Sequence, residues 1–169
     1  MTSQLTKLTG FTFLVVLLAG CAVKQPVSKV TAVEVSERTS EGIRMLVDVD
    51  VNNPNNVPLP VTNVMYRVRL DGVGMFEFTE LGDLTLASRG KQSLKLPAAF
   101  ALPEDVSLEG RRYSVYGHVY YRPPGELRAI LDAYKFPLPA STFHAIGRID
   151  KSFETDFSFD KPETSLLDE

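Results

Sequence analysis

The chain has 169 residues, 44% of them hydrophobic, with 18 Lys and Arg against 21 Asp and Glu for a formal net charge of -3. That is enough apolar material for one core and too little concentrated positive charge to track a phosphate backbone, so one globular domain is expected and nucleic acid is excluded as a main partner. Tryptophan is absent and Cys21 is the only cysteine, which excludes an intrachain disulfide and a cysteine metal cluster.

At the N-terminus, Lys7 is the only charged side chain before an apolar run from Leu8 to Gly20, broken by Thr9, Gly10 and Thr12. The run is too short to span a bilayer comfortably and reads as the core of a secretory signal. Its end, Leu18-Ala19-Gly20-Cys21, resembles the bacterial lipobox. That resemblance implies that residues 1–20 are a cleaved signal peptide and that Cys21 becomes a lipidated N-terminus carrying palmitate-type acyl chains. The competing readings are an uncleaved membrane anchor and a buried thiol. Stable anchoring takes more than one acyl chain, which lipoprotein maturation supplies. Ala22, standing where an inner-membrane retention signal has Asp, implies passage to the outer membrane with the domain facing the periplasm, rather than retention at the inner membrane. Residues 21–28 contain Pro26 and have no period, so they read as the lipidated cysteine and a tether spanning at most about 25 Å.

From Lys29 the pattern is β. Thr31, Val33 and Val35 alternate with Ala32, Glu34 and Ser36, and residues 38–42 form a polar turn. Ile43, Met45, Val47, Val49 and Val51 then line one face of a strand, opposite Arg44, Asp48 and Asp50, with Leu46 the exception. Asn52 to Asn56 break the alternation, and Pro54, Pro58 and Pro60 stiffen an extended return. Val64, Tyr66, Val68 and Leu70 form the next apolar face, ended by the turn dipeptide Asp71-Gly72. Two short strands are expected at 75–79 and 84–87, and another at 92–96. Residues 97–108 then form a proline-bound connection whose Phe100 and Leu102 fold back on the core. Tyr113, Val115, Gly117, Val119 and Tyr121 share a face of a clean strand. Leu127, Ile130, Leu131 and Tyr134 fall at helical spacing, which predicts a short helix over 126–135 packing across an open end of the sheets. Strands over 142–150 and 153–159 complete the pattern, the last with Phe153, Phe157 and Phe159 on one face, before an acidic tail at 160–169. Seven to nine short strands and little helix predict an all-β, two-sheet antiparallel sandwich over residues 29–159.

Chemistry is hard to find in this pattern. His118 and His144 lie singly on strands without metal-ligand spacing, and Asp48 with Asp50 reads as a solvated face balanced by Arg44, Arg67 or Arg69. Gly72-Val73-Gly74 is followed by no helix and is not a phosphate loop. No catalytic residues, metal site or cofactor are expected beyond the covalent lipid on Cys21. The loop Asn52–Asn56 has two readings, a structural corner built by turn chemistry and a recognition loop held by the sandwich. Tyr116 and Tyr120 likewise read as cross-strand packing or as a contact patch.

One resemblance ties these segments together. Asn53-Pro54-Asn55, Pro58-Leu59-Pro60, Tyr66 and Gly72 follow one another at the spacing of the late embryogenesis abundant type 2 family, whose core is also called the WHy domain. The strand with Gly117, then Phe136-Pro137-Leu138-Pro139, then Gly147, extends the likeness over residues 30–150. It implies an immunoglobulin-like or fibronectin-III-like sandwich and an association with desiccation and water stress. The chain departs from the pattern in carrying a helix after the Tyr113 strand and in lacking room for one over 98–112. The combined expectation is a non-enzymatic, lipid-anchored envelope protein with a protective role under water stress. The alternative is an envelope module that binds an apolar ligand, such as a lipid tail, or a periplasmic partner protein.

Overall fold

Period-2 alternation becomes sheet where it is cleanest. A computed structural model describes residues 23–103 and 105–150. Within them β1 (Val27–Arg38), β2 (Gly42–Asn52) and β5 (Lys91–Ala101) form one antiparallel sheet in the order β1-β2-β5. The facing sheet is β4-β3-β6-β7, from β3 (Leu59–Leu70), β4 (Gly74–Leu86), β6 (Arg112–Tyr121) and β7 (Ala140–Arg148). One helix, α1 (Glu126–Tyr134), interrupts the step from β6 to β7. The all-β sandwich expectation therefore holds. The fourth strand pairs with β3 rather than β5, which separates the topology from a constant-type immunoglobulin domain and places it on the fibronectin-III-like side. The signal segment, Leu18, Ala19, Gly20, Cys21, the expected strand at 153–159 and the acidic tail lie outside the described residues.

The core is the set of inward faces read from the alternation. Val47, Val49, Val51, Val68 and Val119 are completely buried, and Tyr66 and Val115 nearly so. Phe100 and Leu102 are buried, as their expected return to the core requires. Two glycines make room for aromatics on the neighbouring strand. A Cβ at Gly117 would lie 2.3 Å from Phe143 Cζ, and one at Gly147 would lie 2.5 Å from Tyr113 Cζ, so each ring fills the gap left by a missing side chain.

Four local expectations are corrected. The strands expected at 75–79 and 84–87 are one strand, β4, carried through a bulge. Its pairing with β3 steps from Val61↔Leu84 to Asn63↔Leu81, and Gly82 absorbs the extra residue where a Cβ would meet the Val61 carbonyl oxygen at 2.7 Å. β5 continues through Pro97, because an edge strand tolerates a missing N–H. In β1, irregular register around Thr31 puts Val30 with Val33 and Val35 toward the core and leaves Thr31 exposed. Finally, α1 forms where its spacing predicts but does not pack across the sheets, since none of its residues is buried.

Candidate functional site at the N-terminal pole

The start of β1, the end of β2, the β4–β5 turn and the exit of β6 all come to one end of the sandwich. At its centre is the Asn-Pro-Asn corner. Asn53 is fully buried and Asn55 nearly so. The Asn53 Nδ2 donates to the carbonyls of Val57 at 2.9 Å, Ala87 at 3.0 Å and Leu86 at 3.4 Å. Its Oδ1 accepts from the Asn55 backbone N–H at 3.0 Å and from Asn55 Nδ2 at 2.9 Å. One side chain thus satisfies polar backbone from the β2–β3 loop and from the end of β4, which buried groups require. Leu59 is fully buried beneath the corner, while Pro58 and Pro60 are exposed and the Pro60 carbonyl accepts the Arg122 N–H at 2.9 Å. The Asn53 amide is turned inward and committed to backbone, which favours the structural reading of this loop.

Asn55 does something that the corner alone does not need. Its Oδ1 accepts the Lys24 backbone N–H at 2.7 Å and its Nδ2 donates to the Lys24 carbonyl at 2.7 Å, a two-bond clasp on the segment preceding β1. The clasp is reinforced on the far side. Gln25 Nε2 donates to the Ala140 carbonyl at 2.6 Å, Ser28 Oγ donates to Ser141 Oγ at 2.7 Å, and Pro26 is buried between them. The strand itself begins at Val27, so residues 27 and 28, expected in the tether, belong to the sheet. Because the clasp spans 31 residues and the Gln25 and Ser28 contacts more than a hundred, no local pattern announces them.

Beside the clasp lies a cleft of about 810 Å³, bordered by Val23, Lys24, Val57, Arg89 and Leu127. It connects the N-terminal segment to α1. The helix presents Leu127, Ile130 and Tyr134 to solvent at 44%, 49% and 72% exposure, followed by Phe136 at 58%, whose ring lies 6.1 Å from that of Tyr134. Its other side carries the Arg128–Asp132 pair at 3.7 Å. The helical spacing was legible in the sequence; the outward direction of the apolar side was not.

The remaining motif residues serve packing elsewhere. Gly72 turns the chain at φ 75° at the opposite pole. Tyr66 lies 2% exposed, and its hydroxyl donates to the Pro97 carbonyl, tying β3 to β5 across the two sheets. Burial, and secondarily the nearby Glu80 carboxylate, pushes its phenol up to about 12. A raised folded value means that this contribution is complete below the ordinary tyrosine range near 10 and is lost as pH rises through about 12. Tyr66→Phe is expected to cost about 1 kcal/mol in urea unfolding, and to remove the latest-ionising phenol from an alkaline absorbance titration.

Asp50 is paired with Lys91 at 2.6 Å and accepts from Ser93 at 2.6 Å; these two bonds, Lys91 first, hold its carboxyl below the usual range. Asp48 lies 3.8 Å from Lys95. The acids on β2 are therefore balanced by lysines of β5. Of the arginines expected in that role, Arg67 pairs with Glu77 and Arg69 with Asp71. His118 sits edge-on to Tyr116 with ring centres 4.9 Å apart, in a ladder that continues to Tyr120 at 5.9 Å. Among the described residues no group of His, Cys, Asp and Glu could hold a metal ion.

No protein-family model and no curated protein sequence matches the chain. Solved structures do. A solution structure of a protein classed as late embryogenesis abundant (LEA) superposes with a TM-score of 0.56 at 17% identity, covering 88% of this chain and 81% of that one. A second solution structure, of a protein from Arabidopsis thaliana, gives 0.52 at 16% identity over 76% and 83% of the two chains. The fold is LEA-like. The corner at Asn53-Pro54-Asn55 thus sits in a LEA-like sandwich, where its physical task is to close the β2–β3 connection and clasp the N-terminal segment.

Proposed function

We propose that this chain is a non-enzymatic, lipid-anchored protein of the cell envelope, held at the periplasmic face of the outer membrane and protective under water stress. The observation that carries the anchoring reading is the clasp at Lys24. A domain that engages its own N-terminal segment this firmly, three residues after a lipobox cysteine, is built to be held from that end. The stress role is supported by the type 2 motif residues and by the LEA-like fold. No helix of the described residues is long and apolar enough to cross a membrane. The anchor in this reading is acyl chain attached to Cys21, at the end of the lipobox-like Leu18-Ala19-Gly20-Cys21.

Mass analysis of the mature protein is expected to find a first peptide that begins at Cys21 and carries acyl mass, in the outer-membrane fraction. A first peptide starting at Met1 without acyl mass overturns the anchor. Survival of a deletion strain after drying and osmotic shock is expected to fall, and unchanged survival removes the stress role.

A second reading has one observation in its favour. At the seam between β4 and β5, Phe76 and Phe100 lie 6.5 Å apart beside a cleft of about 480 Å³, also bordered by Ile43 and Pro97. That cleft suits an apolar ligand, and native mass spectrometry of the purified protein would show a co-purified lipid.

A further inference from the structure

Among the described residues, helix α1 turns an apolar side to solvent. Leu127, Ile130 and Tyr134 recur at helical spacing, all exposed, and Phe136 extends the patch beyond the helix end. A helix of nine residues is marginal in water by itself and draws its stability from whatever its apolar side meets. From these facts and from the position of the helix we infer that α1 is a membrane-interface helix, whose occupant is the surface of the bilayer that holds the anchor. This rests on the lipid-anchor reading of Cys21.

Three observations select the bilayer. First, the leash is short: Lys24 is fixed to Asn55, so only the steps from Cys21 to Lys24 separate the lipidated atom from the fold, a reach of at most about 11 Å. That is about the width of one helix with its side chains, so the pole cannot stand clear of the headgroups. Second, α1 is at this pole, because Leu127 and Val23 border the same cleft. Third, the exposed cations Lys24 and Arg89 border that cleft against a single acid, Glu126, and Lys135 follows the helix, an arrangement that suits lipid phosphates. Apolar side chains entering the acyl boundary under a rim of cations are the pattern of an interfacial helix. The helix is thus a second attachment point, which fixes the orientation of the sandwich as well as its distance from the membrane.

The absence of tryptophan makes the test direct, since one introduced indole reports alone. The full-length lipoprotein carrying Ile130→Trp is reconstituted in vesicles of phosphatidylethanolamine and phosphatidylglycerol, with plain or brominated acyl chains. The same chain carrying Met75→Trp, an exposed position beside the β3–β4 turn at the opposite pole, is the control. The expected result is a blue-shifted emission that loses most of its intensity in brominated vesicles for Ile130→Trp, and no loss for Met75→Trp. Vesicle-bound protein whose Ile130→Trp emission is unquenched overturns the helix inference and leaves the anchor standing. An emission that is blue-shifted yet unquenched assigns the patch to a second copy or to another segment of the chain, and also overturns it. Protein that does not float with the vesicles overturns the anchor, and the helix inference with it.

Discussion

Replacing Asn53 with alanine is expected to lower the unfolding free energy by about 3 to 4 kcal/mol, a large effect for a polar residue in a loop. The reason is what stays behind. The Asn55 N–H would keep its buried position, the Val57 and Ala87 carbonyls their partly buried ones, and all three would lose their partner. A buried group left unsatisfied costs about 1 to 3 kcal/mol, partly recovered where water enters. In a domain of this size the change corresponds to a fall in melting temperature of roughly 8 to 15 °C. Asn53→Asp is expected to do no better, because it retains the acceptor and discards the donors while placing a charge among carbonyl oxygens. Urea unfolding checks the magnitude. Hydrogen exchange at the Lys24 amide checks the route, because loss of Asn53 unseats Asn55 and should expose that amide to solvent. A cost below about 1 kcal/mol would mean that water replaces the side chain at the corner.

Cys21→Ser is expected to abolish acyl incorporation completely. Serine keeps the size of the side chain and loses the thiol on which the diacylglyceryl group is built in the lipoprotein reading. Two products remain available, a soluble periplasmic domain and an uncleaved precursor held by the apolar segment at residues 8–20. Metabolic labelling with palmitate distinguishes both from the wild-type protein, since neither carries label, and fractionation separates them from each other. Normal labelling of the Cys21→Ser chain contradicts the anchor. The sandwich should be unaffected, because its described core contains no residue before Val23. Unfolding of the variant should therefore match that of the wild type, in contrast to Asn53→Ala.

These two residues also mark what sequence reasoning can and cannot reach. The alternation from Ile43 to Val51 fixed a strand and its buried side, because a half-buried sheet imposes a period that side chains must follow. The same logic broke down at Gly82 and Thr31, where an irregular register reverses the parity and a run of residues no longer alternates as counted. Pro97 misled in another way. It signalled the end of a strand, when it only required that the strand lie at an edge. For the N-terminal pole, the composition of the Asn loop spoke for turn chemistry, and the burial of Asn53 agrees. That Asn55 grips Lys24 was not legible, since a side chain meeting backbone 31 residues away leaves no periodic trace. The exposed side of α1 was hidden for a related reason: amphipathic spacing states that a helix has an apolar side without saying what that side meets.

The interruptions along the sheet margins have a consequence of their own. An open strand edge is a template for pairing with any neighbouring chain, and the danger grows as water is withdrawn and proteins crowd together. Every outer strand here is blunted. β1 carries irregular register at two places, β4 is bent at Gly82, β5 contains Pro97 and bears Lys91 and Lys95, and the start of β7 is occupied by Gln25 and Ser28. Among the described residues these edges present few uninterrupted runs of free backbone groups to a neighbouring copy, which disfavours growth into cross-β aggregates.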